Sequence, residues 1–294
     1  MMRVLLATDG SSDAHAAVTW LAQFPVPSAS RLRVVSALSI PPSALDLPTV
    51  RDFIASLREE AQRTTESARA QLAARFGESE TRVVEGEARE TILREAEEWR
   101  ADLIVLGARG LGMVAGLLLG SVSLGVARHA RCSVLVVKAG SHAGPGILIG
   151  IDGSPHAASA AAFVARLPLD PTTPVRLTAV VLSPTVPGTT PSFAQGIVRE
   201  AIHEIVKERT AAAEQAIATA AGPLEGLVKK VERQVVVGHP ASALLTEAAR
   251  AEIGLIVVGA RGLGTVERWL LGSVSENILR HANRPVLIVK EPAR

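Results

Sequence analysis

The chain has 294 residues with an apolar fraction of 48% and only 3% aromatics, so it can fill one large or two ordinary domains with aliphatic cores. A net charge of +2, with no basic block, argues against a nucleic-acid or membrane partner. The single cysteine, Cys132, excludes a disulfide framework and a cysteine-cluster metal site. No segment approaches the length of a membrane span, and a cytoplasmic protein is the default expectation.

The opening residues, Met1 to Asp13, meet an acid at Asp9 after an apolar run too short for a signal peptide; they read as a first strand near 3–8. Helix and strand patterns then alternate: helix 11–23, strand 31–38, helix 50–75, strand 80–85, helix 88–98, strand 102–106, helix 118–129 and strand 133–138. A small, polar, glycine-rich stretch, Ala139–Gly146, follows and reads as a linker. Beyond it, strands are expected near 147–151, 174–182, 231–237, 254–258 and 285–290. The order βαβαβαβαβ in each half implies a parallel sheet covered by helices on both faces, with right-handed crossovers. The Pro-, Ser- and Thr-rich segments Ile40–Thr49 and Ser183–Ser192 follow the second strand of each half. They read either as mobile loops beside a ligand site or as plain surface connections.

The second half repeats the first. Leu103–Lys138 and Leu255–Lys290 align without a gap and share 23 of 36 residues, and Val4–Ser11 (VLLATDGS) corresponds to Ile147–Ser154 (ILIGIDGS). Two units of about 145 residues match the usual size of a domain rather than a solenoid repeat. The expected domains are 1–139 and 146–294.

The sharpest signal follows the fourth strand of each half: Gly107-x2-Gly110-x9-Gly120-Ser121 and Gly259-x2-Gly262-x9-Gly272-Ser273. Glycines let a backbone approach a ligand closely. A helix opening directly after them offers free N–H groups to an anion, to which the serine hydroxyls of Ser121 and Ser273 add a donor. Val122 and Val274, the next residues, complete the candidate phosphate set. The plainer reading is that these glycines only make turns and pack helix on strand. The spacing is retained in both copies although Val114–Leu117 and Val266–Trp269 have diverged.

Asp9 and Asp152 end the first strand of each half and start a Ser-bearing turn, so each is either a helix N-cap or a ligand group. In a doubly wound sheet, strands one and four are neighbours where the order reverses. Ligands bind there, beyond the strands' carboxyl ends. A carboxylate in that place can accept ribose hydroxyls or help hold Mg²⁺ beside phosphates.

With these motifs the chain resembles a tandem universal stress protein of the ATP-binding subclass, over essentially its whole length. The resemblance implies two doubly wound, Rossmann-like domains of strand order 3-2-1-4-5, paired along their last strands, Val134–Lys138 and Val286–Lys290, as a pseudo-dimer. It implies that the glycine loop and serine hold the phosphates, that the Asp lies on the ribose side, and that a backbone group near Ala37 or Val180 meets the adenine. One departure is that Arg284-Pro285 precedes the last strand of the second half while Cys132-Ser133 stands in the first.

Other residues carry weaker signals. Arg109 and Arg261, inside the glycine loops, either reach a terminal phosphate or stand in solvent. His129 and His281 suit helix C-termini. His239-Pro240 suits a helix start, and Cys132 has no histidine partner and reads as inert. Trp269, inside the second loop only, is a natural fluorescence reporter.

The expected function is an ATP-binding, nucleotide-dependent stress-response switch that engages a protein partner. Two alternatives stand beside it: a slow ATPase or phosphotransferase, and a chaperone-like scaffold with vestigial sites. No G-x4-G-K-(S/T) loop, no G-x-S-x-G elbow and no paired acid–base set is present, so an enzyme is not expected. AMP or a cyclic nucleotide also fits a motif that reads phosphate better than it counts phosphates. Since the pairing is satisfied within one chain, a monomer and a homodimer are both consistent.

Overall fold

The computed structural model describes residues 1–40, 48–111, 118–142, 144–185, 194–250, 252–262 and 271–291. The first half runs β1 (Arg3–Ala7), α1 (Ser12–Gln23), β2 (Arg31–Leu38), α2 (Pro48–Leu72), β3 (Glu78–Glu85), α3 (Ala88–Glu98), β4 (Leu103–Gly107), α4 (Ser121–His129) and β5 (Ser133–Val137). The second runs β6 (Gly146–Ile151), α5 (Pro155–Ala165), β7 (Val175–Val181), α6 (Gln195–Ala221), β8 (Val231–Val237), α7 (Pro240–Ala248), β9 (Ile253–Gly259), α8 (Ser273–His281) and β10 (Val286–Val289). Pro240 is the first residue of α7, where its missing N–H leaves nothing unbonded.

All ten strands form one sheet in the order β3-β2-β1-β4-β5-β10-β9-β6-β7-β8. Each half therefore has the expected order 3-2-1-4-5. The halves meet at β5 and β10, which pair antiparallel with Leu287 opposite Leu135, while every other pairing is parallel. The pseudo-dimer is thus one continuous sheet.

The unbroken apolar runs of the central strands follow from burial on both faces. Val4 and Leu6 enter one core with α1 and α2, and Leu5 and Ala7 enter the other with α3 and α4. In the second half α5 and α6 cover the first of these faces, and α7 and α8 the second. Both cores cross the seam between the halves.

Several element limits shift by one to three residues from the sequence expectation, α2 among them, and two of the shifts have a plain cause. The pattern places the start of the third strand at residue 80, but β3 begins at Glu78, where Arg31 of β2 pairs with Glu78 across the strands. Ion pairing rather than apolarity extends this strand. The fourth helix is expected from 118 but α4 starts at Ser121, because Gly120 has extended backbone (φ −76°, ψ 155°) and serves as its N-cap.

Polar clusters also repeat. Arg33 bonds Glu80 and, at 3.1 Å, the buried Glu95, with its guanidinium over the Trp99 ring at 4.9 Å. Arg176 sits at the equivalent place, bonding Glu232 at 2.8 Å and Glu252 at 2.9 Å. Each ties strand two of its half to strand three.

Candidate nucleotide site

The carboxyl ends of β1 and β4 lie side by side, as do those of β6 and β9. Beyond each pair a cavity opens, about 390 Å³ in the first half and about 320 Å³ in the second, within the range of small-molecule pockets. Asp9, Ala37, Gly107, Arg109, Gly110, Gly120, Ser121 and Val122 line the first; Asp152, Val180, Gly259, Arg261, Gly262, Gly272, Ser273 and Val274 line the second. All sixteen candidate residues named from the sequence are gathered at these two mouths.

The helices that open onto the cavities have no side-chain N-cap. In α4 the first intrahelical bond is Leu124 N–H to Gly120 O at 3.0 Å, so the N–H groups of Ser121, Val122 and Ser123 lie outside the ladder. In α8 Glu276 N–H to Gly272 O at 2.9 Å does the same for Ser273, Val274 and Ser275. Ser121 and Ser273 are exposed at the cavity side. The serines two residues on, Ser123 and Ser275, are buried and donate to Gly107 O and Gly259 O, each at 2.7 Å. They fix the helix start to the strand end, a role that only a fold-level contact reveals.

The glycines divide their work. A Cβ at Gly107 would meet the backbone of Asp13 and Ala14 at 2.6 Å, so this glycine lets α1 cross close over β4 and is a packing residue. Gly259 stands against His156 in the same way. At Gly110 a Cβ would lie 2.5 Å from Asp9 Oδ2, and at Gly262 it would meet Asp152 Oδ2. Here the glycine makes room for the carboxylate. Gly120 N–H and Gly272 N–H each donate to the carbonyl of the residue after the strand, Ala108 and Ala260, at 2.8 Å, which pinches the loop shut at its base.

The aspartates are not the N-caps. Ser11 and Ser154 cap α1 and α5, accepting from Ala14 N–H and Ala157 N–H. Each of these serines also donates to the loop, Ser11 Oγ to Arg109 O at 3.0 Å and Ser154 Oγ to Arg261 O at 3.3 Å. Asp9 accepts from Ser11 N–H on Oδ1 and from Leu111 N–H on Oδ2, both at 3.0 Å, and so joins the turn after β1 to the glycine loop. Asp152 accepts from Ser154 N–H at 2.9 Å, and both carboxylates are exposed.

Arg109 fits neither of its two readings alone. Its guanidinium is held by Asp13, Nε to Oδ2 at 2.9 Å and Nη2 to Oδ1 at 3.2 Å, and Asp13 also accepts from Ala139 N–H at 2.8 Å. Asp13 is 1% exposed. Burial pushes its pKa up, but the bonds from Arg109 and Ala139 outweigh that and hold it below the ordinary carboxylate value. Arg109 and Asp13 lie 96 positions apart, which hid the pair from sequence. In the second half His156 stands where Asp13 does, and burial pushes its pKa down. Trp269 and most of the two Pro-, Ser- and Thr-rich segments lie outside the described residues.

Ala37 lies two residues beyond Val35, the last β2 partner of β1, and Val180 one beyond Ala179, the last β7 partner of β6. Both strand-two positions reach past the neighbouring strand at the cavity floor. Among the described residues no group of three or more His, Cys, Asp or Glu is placed to hold a metal, and no helix is long and apolar enough to cross a membrane.

Fold and paired loops define a duplicated doubly wound α/β protein with an open cavity at both topological switch points. The universal stress protein family model matches residues 1–138 and again 146–290, and the chain belongs to that family. A universal stress protein of Mycolicibacterium smegmatis is 28% identical over 301 residues, covering 98% of this chain and 96% of that one. One from Thermus aquaticus, 37% identical over 137 residues, covers 46% of this chain and 97% of its own. The crystal structure of a universal stress protein from Archaeoglobus fulgidus shares the fold at a TM-score of 0.64 and 22% identity, covering 98% of this chain and 96% of that one.

Proposed function

We propose that each half binds an adenine nucleotide, ATP with Mg²⁺, and that the chain is a nucleotide-dependent switch in the stress response. The observation that carries this reading is an uncapped helix N-terminus facing a pinched glycine loop, with a carboxylate seated against its second glycine, repeated in both halves. Helix N–H groups and dipole favour a phosphate at Ser121 and Ser273. Asp9 and Asp152, exposed across the mouth, suit ribose hydroxyls. With no three-ligand cluster among the described residues, Mg²⁺ would be held chiefly by the phosphates, with Asp9 or Asp152 near it.

Binding rather than turnover is favoured by the inventory of the walls. Among the described lining residues the titratable groups are Asp9 and Arg109 in one cavity and Asp152 and Arg261 in the other. Phosphoryl transfer also needs a group that positions the acceptor. A change of charge at the γ-phosphate would be read out by a protein partner on the loop surface.

The test is to denature the purified chain and to identify and count the released nucleotide by mass spectrometry. Two ATP per chain supports the reading. ADP or AMP redirects it to hydrolysis or another ligand. No nucleotide, together with no response of Trp269 fluorescence to added Mg-ATP, removes it.

A further inference from the structure

The antiparallel seam places the end of each central strand over the helix that feeds its neighbour. Lys138, just after β5, donates through Nζ to Arg280 O in the last turn of α8 at 2.8 Å and to the carbonyl of its C-cap, Ala282, at 2.7 Å. Lys290, just after β10, donates to Arg128 O of α4 at 3.0 Å. Each lysine thus caps the helix of the other half, satisfying carbonyls that the helix itself leaves unbonded. These are the two helices whose N-termini open onto the cavities. Each has nine residues and a length of about 13 Å.

The first crossed cap reaches back to its own cavity. Ala139, next to Lys138, donates its N–H to Asp13, and Asp13 grips Arg109 of the first glycine loop. A continuous route therefore runs from the first loop by hydrogen bonds through Asp13 to Ala139, across the peptide bond to Lys138, and by its hydrogen bonds to the C-terminus of α8, and α8 carries that end to the mouth of the second cavity. Lys290 leads from the end of β10 to α4 and the first cavity.

We propose, building on the nucleotide reading above, that the two pockets are coupled, each changing the other's affinity through the crossed lysine caps, with Lys138 as the positioning residue that links loop one to α8. A ligand that moves the first loop moves Asp13 and Lys138 with it, and the orientation of α8 sets the N–H groups offered to the second ligand. Coupling of this kind is reciprocal by thermodynamic necessity.

The experiment is calorimetric titration of the full chain with Mg-ATP, beside Gly110→Val and Gly262→Val, each of which closes one pocket. For independent pockets the product of the two stepwise constants of the intact chain equals the product of the two single-pocket constants. The expected result is a departure of about fivefold or more, which disappears in Lys138→Met and in Lys290→Met while each pocket still binds. Agreement of the two products in the intact chain overturns the coupling and leaves nucleotide binding standing. A departure that survives both lysine changes overturns the lysine route. Absence of binding in every chain removes the nucleotide reading and the coupling together.

Discussion

Arg128 of α4 and Glu276 of α8 join the two halves by a multiply bonded ion pair, Nη2 to Oε2 at 2.7 Å and Nε to Oε2 at 3.1 Å. The pair is one-sided. Glu276 also accepts from Arg280 of its own helix at 2.8 Å, and its counterpart in the first half is Leu124, which has no charge to offer. Glu276→Gln is expected to lower stability by about 1 kcal/mol, discounted because Arg128 is partly in solvent. In thermal unfolding this is a fall in Tm of about 2 °C. An unchanged Tm would show that the seam is held without this ion pair, by the β5–β10 pairing, the lysine caps and the shared cores.

Acid should expose the carboxylates that the fold has tuned. Asp13 and Glu276 are both pushed up by burial and pulled down further by their arginines, so each has a folded pKa below its unfolded value. Their contribution is present above the unfolded values of 3.8 and 4.5 and is lost as pH falls through the folded ones. Asp13→Asn is expected to cost about 2 kcal/mol near pH 7, the half-exposed Arg109 keeping the loss below that of a fully buried pair. Urea unfolding of this variant should show a shallower loss of stability below about pH 4 than the parent chain. An identical acid profile would count against Asp13 as the carboxylate that holds the loop.

Alkali should act in the opposite sense through the crossed lysines. Burial lowers Lys138 and Lys290 from 10.5 to about 8. Between about 8 and 10.5 the unfolded chain binds more protons than the folded one, so stability rises with pH in that window. A neutral amine keeps two N–H donors, and the caps survive deprotonation. Unfolding in urea should need more denaturant at about pH 9 than at about pH 7.5, by on the order of 1 kcal/mol per lysine after allowance for solvent. A flat or falling profile would sink the expectation.

Cys132 is pushed up to about 12, chiefly by burial. Its thiolate is scarce at neutral pH, and the thiolate is the reactive form. Cys132 is partly exposed, so an aromatic disulfide reagent should label the native chain slowly and the unfolded chain much faster. Rapid labelling of the native chain would show that the segment before β5 opens by itself. Above pH 9 this thiol opposes the lysines, because the unfolded chain loses its proton first.

The order of elements and the duplication were readable from residues, because each rests on local pattern or on self-comparison, whereas the strand order came with the family resemblance. Leu103–Val105 and Leu255–Val257 are apolar without alternation, which is what burial on both faces produces. The glycine loops were readable because backbone demands restrict residue type at fixed spacing. What escaped were side-chain partnerships of long range. Asp13 lies in the first turn of α1 and Ser123 in that of α4, and nothing beside either in the sequence marks its partner. Lys138 and Lys290 close the expected last strands, and their acceptors lie 142 or more positions away.

The seam at β5 and β10 has a consequence for how copies of such a chain mix. A single half would end its sheet at an apolar strand, Ser133–Val137, every residue of it buried, and that edge would seek any matching edge in the cell. Here the matching edge is tethered by the short stretch after Lys138, at an effective concentration of about millimolar. Free partners at ordinary protein concentrations compete poorly with it. Covalent linkage therefore insulates the pair from exchange, and it lets the two halves diverge, as Asp13 and His156 have, without the divergent copies ever being reshuffled into like pairs.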